Sequence, residues 1–194
     1  MHNIHFGNDY KALDEYHIKY NTLKGDRKVS KYQTIIHPFQ PIFQPNSKIL
    51  ILGSFPSVKT REYGFFYGHS QNRFWPLLER IFEETIGKDI EERKKFLFKH
   101  HIAIYDVIYQ CDIIGSSDAS IQNVIPSDLS LIFNSSDIKN VFCNGKTSYR
   151  YYQKYQEKKI GVKGMLLPST SSANARISMD DLYNQWKIIK LLKN

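Results

Sequence analysis

Four polar segments of the chain hold residue types that suit the binding of a phosphate or a polar ring. Each is rich in Gly, Ser, Thr and Asn, and they are GSFPSVKTREYGFFYGHSQNRFW (53–75), QCDIIGSSDAS (110–120), NGKTS (144–148) and PSTSSANAR (168–176). Glycine lets a backbone approach a ligand closely, and hydroxyl and amide side chains donate and accept hydrogen bonds. The sequence therefore predicts that any binding site is built from these segments.

The signatures of several common enzyme classes are absent from the sequence. There is no GxxxxGK[ST] loop, GxGxxG turn, HExxH pair or GxSxG elbow, which argues against P-loop nucleotidases, dinucleotide oxidoreductases, zincins and α/β-hydrolases. The seven histidines show no metal-ligand spacing, and two cysteines alone cannot form a four-cysteine metal site. We therefore expect the protein to use no metal and no cofactor.

Short apolar runs come directly before the polar segments and predict the strands that position them. These runs are KILIL (48–52), IAIYDVI (102–108), NVFC (140–143) and MLL (165–167). Apolar spacing and capping signals predict helices at 74–86, 89–100 and 127–134, after Gly145, and from Ser178. The alternation predicts an α/β fold with three layers, α/β/α, around a central, mainly parallel four-stranded sheet. Ligands bind beyond the carboxyl ends of such strands, where the polar segments begin.

The composition predicts one domain over residues 34–194, preceded by an N-terminal extension over residues 1–33. The extension is polar and mixed in charge, and the three prolines of 35–46 favour an extended lead-in to the domain. No apolar run approaches the ~20 residues that span a bilayer, and the N-terminus has no secretory pattern. We expect a cytoplasmic protein, associated with the nucleoid in a prokaryote, that does not bind membranes.

Four motifs resemble those of the uracil-DNA glycosylase superfamily in order and in placement at strand ends. They are GSFPS (53–57), GFFYGHSQNRFW (64–75), NGK (144–146) and LPSTSSANA (167–175). The sequence is most similar to the hypoxanthine-excising branch, the DNA-deoxyinosine glycosylases, over about residues 35–190. The resemblance implies the superfamily's fold and a monomeric base-excision repair enzyme that flips a deaminated base out of duplex DNA and hydrolyses its N-glycosidic bond with water.

The substrate implied first is deoxyinosine, and the enzyme is expected to be monofunctional. Hypoxanthine presents an N1–H donor beside an O6 acceptor, and uracil presents an N3–H donor beside an O4 acceptor, so one pocket design can read both. Uracil or a G·T or G·U mismatch is therefore the alternative substrate. A non-catalytic nucleic-acid-binding protein on the same fold is the alternative outside this class.

The resemblance also identifies Asn72 as the candidate catalytic residue. The superfamily usually carries Asn or Asp directly before the proline of its first motif, where that residue positions the water, but this chain has Phe55 there. Asn72 is the nearest polar candidate, predicted to position the water or to hold the base. The alternative is that Asn72 only caps the helix that begins at Arg73.

The remaining candidates contact the flipped base or the DNA phosphates. Backbone N–H groups at Ser54 are predicted to hold a carbonyl oxygen of the base, and the rings of Phe55, Phe66 and Tyr67 to stack on it, unless they are core anchors. The predicted phosphate contacts are Lys146, Ser169, Thr170 and Ser171, whose alternatives are a surface lysine and an ordinary turn. Related enzymes usually have His where this chain has Leu167, so help from that side chain to the base anion is absent.

The charge distribution supports a nucleic-acid partner. The chain has 27 Lys and Arg against 19 Asp and Glu, and residues 139–194 hold 11 basic and 3 acidic side chains, which accounts for the whole net charge of +8. A localised basic region attracts polyanions, although it also serves solubility. Because this region contains the NGKTS and PSTSSANAR segments, we expect it to bind DNA containing deaminated bases.

Overall fold

The fold contains two β-sheets within residues 31–192, the part of the chain that this computed structural model describes. The strands are β1 (Gln33–Ile36), β2 (Ile49–Gly53), β3 (Ile102–Asp106), β4 (Ile108–Ile113), β5 (Gln122–Pro126), β6 (Asn140–Asn144) and β7 (Gly164–Leu167). The larger sheet has the strand order β3-β2-β6-β7, and all its neighbouring strands run parallel. This arrangement confirms the predicted α/β class and its parallel four-stranded sheet.

Both faces of the larger sheet are covered. Every residue of β2 and β3 is buried, and β6 is buried from Val141 onward. Successive side chains of a strand point to opposite faces, so a strand that is buried at every position must be packed on both sides. The unbroken apolar runs of the sequence supply these strands, which is why they predicted a sheet in the middle of the fold.

Helices connect the strands and form the outer layers. They are α1 (Val58–Tyr63), α2 (Phe74–Phe82), α3 (Ile90–Lys99), α4 (Ser130–Asn134), α5 (Lys146–Tyr152), α6 (Lys158–Ile160), α7 (Met179–Trp186) and α8 (Ile188–Leu191), with a 3-10 turn at Asp118–Ser120 and a π-helical turn at Gln153–Glu157. The predicted capping box begins α7, because Ser178 and Asp181 each accept a hydrogen bond from the other's backbone N–H. The predicted apolar face of α2 is buried.

A smaller antiparallel sheet, with the order β1-β4-β5, was not predicted. The predicted strand 102–108 ends at Asp106, and after Val107 the chain enters this second sheet at Ile108. The polar segment 110–120 therefore begins inside β4 and not as a loop. The apolar run IAIYDVI (102–108) has no turn residue between Asp106 and Ile108, so nothing in the sequence marks the point where the chain leaves one sheet for the other.

The N-terminal part of the described chain agrees with the predicted extended lead-in, with one correction. Ile42 forms an isolated antiparallel bridge with Ile104 of the larger sheet, as an extended segment can. The lead-in also begins inside β1, which pairs with β4. Residues 1–30 of the predicted N-terminal extension lie outside the described residues. Among the helices of residues 31–192, none has the length and apolar character needed to cross a membrane.

Candidate active site

A cavity of about 1060 Å³ opens at the carboxyl-terminal edge of the parallel sheet. Each strand of that sheet ends at the cavity wall, β2 at Gly53, β3 at Asp106, β6 at Asn144 and β7 at Leu167. The carboxyl ends of parallel strands meet at one edge, so segments that are distant in sequence come together there. All four polar segments identified in the sequence contribute to the wall.

The structure brings all the residues predicted for the site to this one cavity. They are Ser54, Phe55, Phe66, Tyr67, Asn72, Lys146, Ser169, Thr170 and Ser171. Asp106, Asp118 and Asn144, to which the sequence assigned no role, line the same cavity. Within residues 31–192, no group of three or more His, Cys, Asp or Glu side chains is arranged to hold a metal ion. The roles of the individual residues depend on their contacts.

The amide of Asn72 is held in one orientation at the start of α2. Its Oδ1 accepts hydrogen bonds from the Phe74 N–H at 3.0 Å and from the Thr170 hydroxyl at 2.9 Å. An inverted amide would place its NH₂ group against the Phe74 N–H, with two donors facing each other, so these contacts fix which end is oxygen. Among the described residues the Nδ2 of Asn72 has no hydrogen-bond partner. Asn72 therefore binds the first N–H of α2 from the position before the N-cap residue, Arg73, and it also offers two N–H donors at the cavity wall.

Thr170 connects two asparagines inside the protein, which corrects its predicted role as a phosphate contact. The residue is fully buried, and its hydroxyl donates to Asn72 and accepts from the Asn144 Nδ2 at 3.0 Å. Its backbone N–H donates to the Asn144 Oδ1 at 2.9 Å. A buried hydroxyl whose proton is already donated cannot also bind a phosphate. Thr170 instead ties the segment around Asn72 to the ends of β6 and β7.

Arg73 holds the loop that follows β7. Its Nη2 donates to the carbonyl oxygens of Ser171 at 3.1 Å and Asn174 at 3.0 Å, and its Nη1 donates to that of Ile177. Its backbone N–H donates to the carbonyl oxygen of Thr170. A planar guanidinium presents several donors in a fixed geometry and so suits a set of carbonyls in one loop. The predicted turn is thus a fixed loop anchored to α2.

Lys146, Ser169 and Ser171 remain candidates for phosphate binding. The Oγ atoms of both serines accept backbone N–H groups two residues further on, at 3.2 and 3.3 Å. Among the described residues neither hydroxyl donates a hydrogen bond, so each proton is available to a ligand. Lys146 is exposed at the start of α5, directly after Gly145, whose φ of 101° strongly favours glycine. A Cβ on Gly145 would also lie 3.0 Å from that of Ser169.

Two of the three predicted stacking rings are buried among other rings. Phe66 is 2% exposed and contacts Phe39 and Tyr105 with centroids 5.2 and 6.3 Å apart, so its face is not free for a base. Phe55 is 9% exposed and meets His37 edge to face at 5.8 Å. The predicted stacking role of Phe66 is corrected, because the ring belongs to the core below the cavity. Phe55 reaches the wall with only a small exposed part.

Tyr67 has a strained backbone and a buried hydroxyl. Its φ is 54°, in the left-handed region, and one face of its ring stacks on Phe74 with centroids 3.8 Å apart. Among the described residues its hydroxyl has no hydrogen-bond partner, although it is buried. Burial, with a smaller effect of the Asp106 carboxylate, raises the pKa of Tyr67, so the phenol keeps its proton near neutral pH. Tyr67 therefore lines the cavity with its hydroxyl enclosed by the protein, and its stacking on the base stays a prediction.

A buried pair of His37 and Asp106 lies beneath the cavity and was not predicted. The His37 Nε2 lies 2.9 Å from the Asp106 Oδ2, and both residues are buried. The His37 Nδ1 lies beside the Phe39 backbone, at 3.0 Å from its carbonyl oxygen and 3.1 Å from its N–H. The imidazole is thus held on both sides, and it fixes the orientation of the carboxylate at the end of β3.

A second carboxylate, that of Asp118, also lines the cavity. The Ser54 hydroxyl lies 3.1 Å from each of its oxygens. Loss of water contact raises the pKa of Asp118, and hydrogen bonds from Thr147 and Ser54 oppose that effect. This contact ties the loop after β2 to the loop before β5. The side chain of Ser54 therefore has a structural role, which leaves its predicted contact to the base with its backbone N–H.

Comparisons with known proteins show the family of this chain. The model of the uracil DNA glycosylase superfamily matches residues 40–193. A hypoxanthine DNA glycosylase from Methanosarcina barkeri is 32% identical over 143 residues, which cover 71% of this chain and 87% of the relative. A second protein of that name, from Methanosarcina acetivorans, is 29% identical over 78% of this chain and 95% of its own length.

The fold is also found among solved structures. A solution NMR structure from Methanosarcina acetivorans, described as a candidate uracil DNA glycosylase, superimposes with a TM-score of 0.69 at 27% identity. The match covers 80% of this chain and 97% of that one. The family model, the curated relatives and the solved structure therefore agree with the family that the four motifs resemble. The chain belongs to the uracil DNA glycosylase superfamily, and its curated relatives place it in the hypoxanthine branch.

Proposed function

We propose that this protein is a monofunctional DNA-deoxyinosine glycosylase, which hydrolyses the N-glycosidic bond of hypoxanthine in DNA. Two relatives that match most of the chain are named for hypoxanthine. The observation that carries the proposal is the fixed amide of Asn72, whose free Nδ2 lies at the wall of a strand-end cavity. A fixed donor in such a place suits a reaction in which negative charge develops on a departing base.

DNA binding begins, in this proposal, with the phosphates beside the damaged nucleotide. Lys146 supplies a positive charge, and the hydroxyls of Ser169 and Ser171 donate hydrogen bonds from a loop that Arg73 holds in place. These groups contact the backbone and carry no sequence information. The nucleotide then rotates out of the duplex so that its base enters the cavity.

Hydrolysis exchanges the bond between C1′ and N9 for a bond between C1′ and water. As the C1′–N9 bond breaks, its electron pair leaves with the base and the sugar gains oxocarbenium character. Water then adds to C1′, its oxygen loses a proton, and the base gains one. The two N–H groups of the Asn72 amide can donate to the oxygen of that water or to an acceptor on the departing base, since both carry lone pairs.

The lysines at the cavity support hydrolysis without a lyase step. A lyase needs a neutral amine that attacks C1′. Lys59 lines the cavity but pairs with Glu62 at 2.8 Å, and this contact raises the pKa of its amine and keeps it charged. Lys146 is exposed. We therefore expect the product to be an intact strand with an abasic site.

The test is an excision assay on duplexes that carry one lesion each. Hypoxanthine, uracil, xanthine and a G·T mismatch are compared, and each product is divided and analysed with and without alkali. Alkali-dependent cleavage at hypoxanthine supports the proposal, and cleavage without alkali shows a lyase step. Cleavage at uracil alone would assign the substrate suggested by the description of the solved relative. Binding without cleavage of any duplex would refute an enzymatic function.

A further inference from the structure

Three basic side chains form a row on the outer face of the helix that follows β6. Arg150 lies in α5, Lys154 in the π-helical turn and Lys158 at the start of α6, each four positions after the one before it. All three residues are exposed, and none of them lines the cavity. We refer to Arg150, Lys154 and Lys158 as the basic row. Lys146, which does line the cavity, stands four positions before its first member.

The π-helical turn keeps the basic row on one face of the helix. An α-helix completes a turn in about 3.6 residues, so side chains at every fourth position move gradually around its axis. A π-helical turn has more residues per turn, because its hydrogen bonds join residues five positions apart, and a step of four positions therefore reverses that movement. The turn at Gln153–Glu157 stands between Arg150 and Lys158. Such turns are rare and occur frequently at functional sites.

Two members of the basic row lie on aromatic rings. The guanidinium of Arg150 is 4.8 Å from the ring centre of Tyr151, and the Lys154 amine is 4.8 Å from that of Tyr155. The two rings are stacked with their centres 6.0 Å apart. A contact with a ring face orders a cation without neutralising it. Both charges are therefore held in position and remain available to a ligand.

No carboxylate forms an ion pair with the basic row. Within residues 31–192 none of its members takes part in a salt bridge, whereas the adjacent Lys159 pairs with Asp128 at 3.3 Å. Steps of four residues space the three cations about 6 Å apart along the helix. A line of regularly spaced cations suits a polyanion whose own charges repeat along a chain, as the phosphates of DNA do.

The topology of the sheet directs the basic row away from the cavity. The helix connects β6 to β7, which are parallel neighbours, so it starts at the cavity edge of the sheet and must return to the opposite edge. At about 1.5 Å per residue, Lys158 lies roughly 18 Å along the helix from Lys146. A duplex seated over the cavity therefore meets the beginning of the helix and not the far end of the row.

We propose that the basic row binds the backbone of a second segment of duplex DNA, separate from the segment whose nucleotide enters the cavity. The three cations contact phosphates and read no sequence. Non-specific contacts of this kind let proteins move along DNA, and a second one lets this protein hold a neighbouring segment before it releases the first. The proposal concerns undamaged DNA, so it does not depend on which base the cavity accepts.

The test is a bridging assay with the full chain. A short duplex that carries an abasic-site analogue is immobilised and loaded with protein, and the capture of a labelled, undamaged duplex is then measured. We expect wild-type protein to capture the second duplex. The variant Arg150→Gln/Lys154→Gln/Lys158→Gln should bind the immobilised duplex as wild-type protein does and capture at least about 10-fold less of the second one, because three phosphate contacts are lost.

The matched control removes the same charge from another face of the protein. In Lys88→Gln/Lys95→Gln/Lys99→Gln the three lysines are exposed, lie on or beside α3 and do not line the cavity. We expect this variant to capture the second duplex as wild-type protein does. Thermal denaturation reports whether each variant is folded, and the three single variants of the basic row replace the triple one if it unfolds.

Loss of capture in the row variant, with capture retained in the control, supports the proposal. Equal capture by the row variant and wild-type protein would overturn it, as would wild-type protein that holds the abasic duplex but captures no second one. A folded row variant that no longer binds the abasic duplex would place the row on the segment at the cavity, which also contradicts the proposal. Displacement of the labelled duplex by less poly-glutamate than unlabelled duplex would identify an acidic polypeptide as the ligand instead.

Failure of the proposed function gives a different result in the same experiment. Wild-type protein that does not prefer the abasic duplex to an undamaged one counts against a glycosylase. Direct binding of the undamaged duplex by wild-type protein and the row variant then decides the role of the basic row, with equal affinities overturning it.

Discussion

The Oγ1 of Thr170 donates to the Oδ1 of Asn72 over 2.9 Å, and this hydrogen bond joins residues that are 98 positions apart. The same hydroxyl accepts from Asn144, so one buried threonine connects the start of α2, the end of β6 and the loop after β7. The oxygen of the Asn72 amide is used inside the protein as a result. Only the NH₂ group of the amide remains available to a ligand. The proposed chemistry therefore uses Asn72 as a hydrogen-bond donor and not as an acceptor.

Replacing Asn72 with Asp separates its two roles. An aspartate keeps an oxygen that accepts from the Phe74 N–H and the Thr170 hydroxyl. It lacks the N–H donors, so we expect excision to fall by about 10²–10³-fold, as for the loss of one donor at a developing anion. Single-turnover rates on a deoxyinosine duplex measure the effect.

Asn72→Ala is the companion variant and removes both roles. We expect the same loss of excision, with a destabilisation of about 1–3 kcal/mol in urea denaturation, because the Phe74 N–H and the Thr170 hydroxyl lose their acceptor. If Asn72→Asp excises at the wild-type rate or faster, an acceptor and not a donor faces the reacting atoms, and the assigned polarity is wrong.

Thr170→Val tests the buried connection between the two asparagines. Valine matches threonine in shape but leaves the Asn144 Nδ2 without its acceptor and Asn72 without a donor, so we expect a loss of about 1–3 kcal/mol in the free energy of unfolding. Thr170→Ser keeps the hydroxyl and is the control. Equal stability of the two variants in urea denaturation would mean that the hydroxyl does not hold the site together.

Lys146→Ala tests the assignment of the DNA phosphates. Each phosphate contact contributes to the salt dependence of binding, so the slope of log K against log salt should fall by about 1 in this variant. Lys95→Ala, in an exposed position of α3 that does not line the cavity, should leave the slope unchanged. Thr170→Ser should also keep the wild-type slope, because its hydroxyl is buried. A slope unchanged by Lys146→Ala would remove that residue from the interface.

The two cysteines are expected to resist alkylation in the folded protein. Both are fully buried, and burial raises the pKa of Cys111 to about 11 and that of Cys143 to about 12. Since the thiolate is the reactive form and its fraction falls as the pKa rises, iodoacetamide near neutral pH should label neither until guanidinium chloride unfolds the chain. Mass spectrometry counts the labels. Rapid labelling of the native protein would show that β4 or β6 opens readily.

The sequence predicted the parallel sheet and the meeting of its polar segments, for a simple physical reason. Unbroken apolar runs mark strands that are buried on both faces, and the carboxyl ends of parallel strands share one edge. Neither inference requires knowing which residues far apart in the sequence are in contact. Prediction of the second sheet would require it, because β4 pairs with β1 across 78 positions, from Asp112 to Thr34.

Individual roles at the cavity also depended on contacts that no local pattern reveals. His37 stands in a proline-rich lead-in and Asp106 at a strand end, 69 positions away, so their pairing appears only in the folded chain. Thr170 lies between Ser169 and Ser171, and only the direction of its side chain separates its buried hydroxyl from theirs. A signal was available for Asp106, since a charged residue within an otherwise apolar run is unusual and lies near the carboxyl end of the predicted strand 102–108.

The proposed enzymatic function depends above all on the excision of hypoxanthine from a duplex with a single deoxyinosine. We expect wild-type protein to release the base and to leave a strand that breaks only after alkali, and we expect Asn72→Asp to leave the duplex intact over the same time. Binding of the duplex without release of the base would refute the proposed function, and release that is unaffected by Asn72→Asp would refute the role of the Asn72 amide.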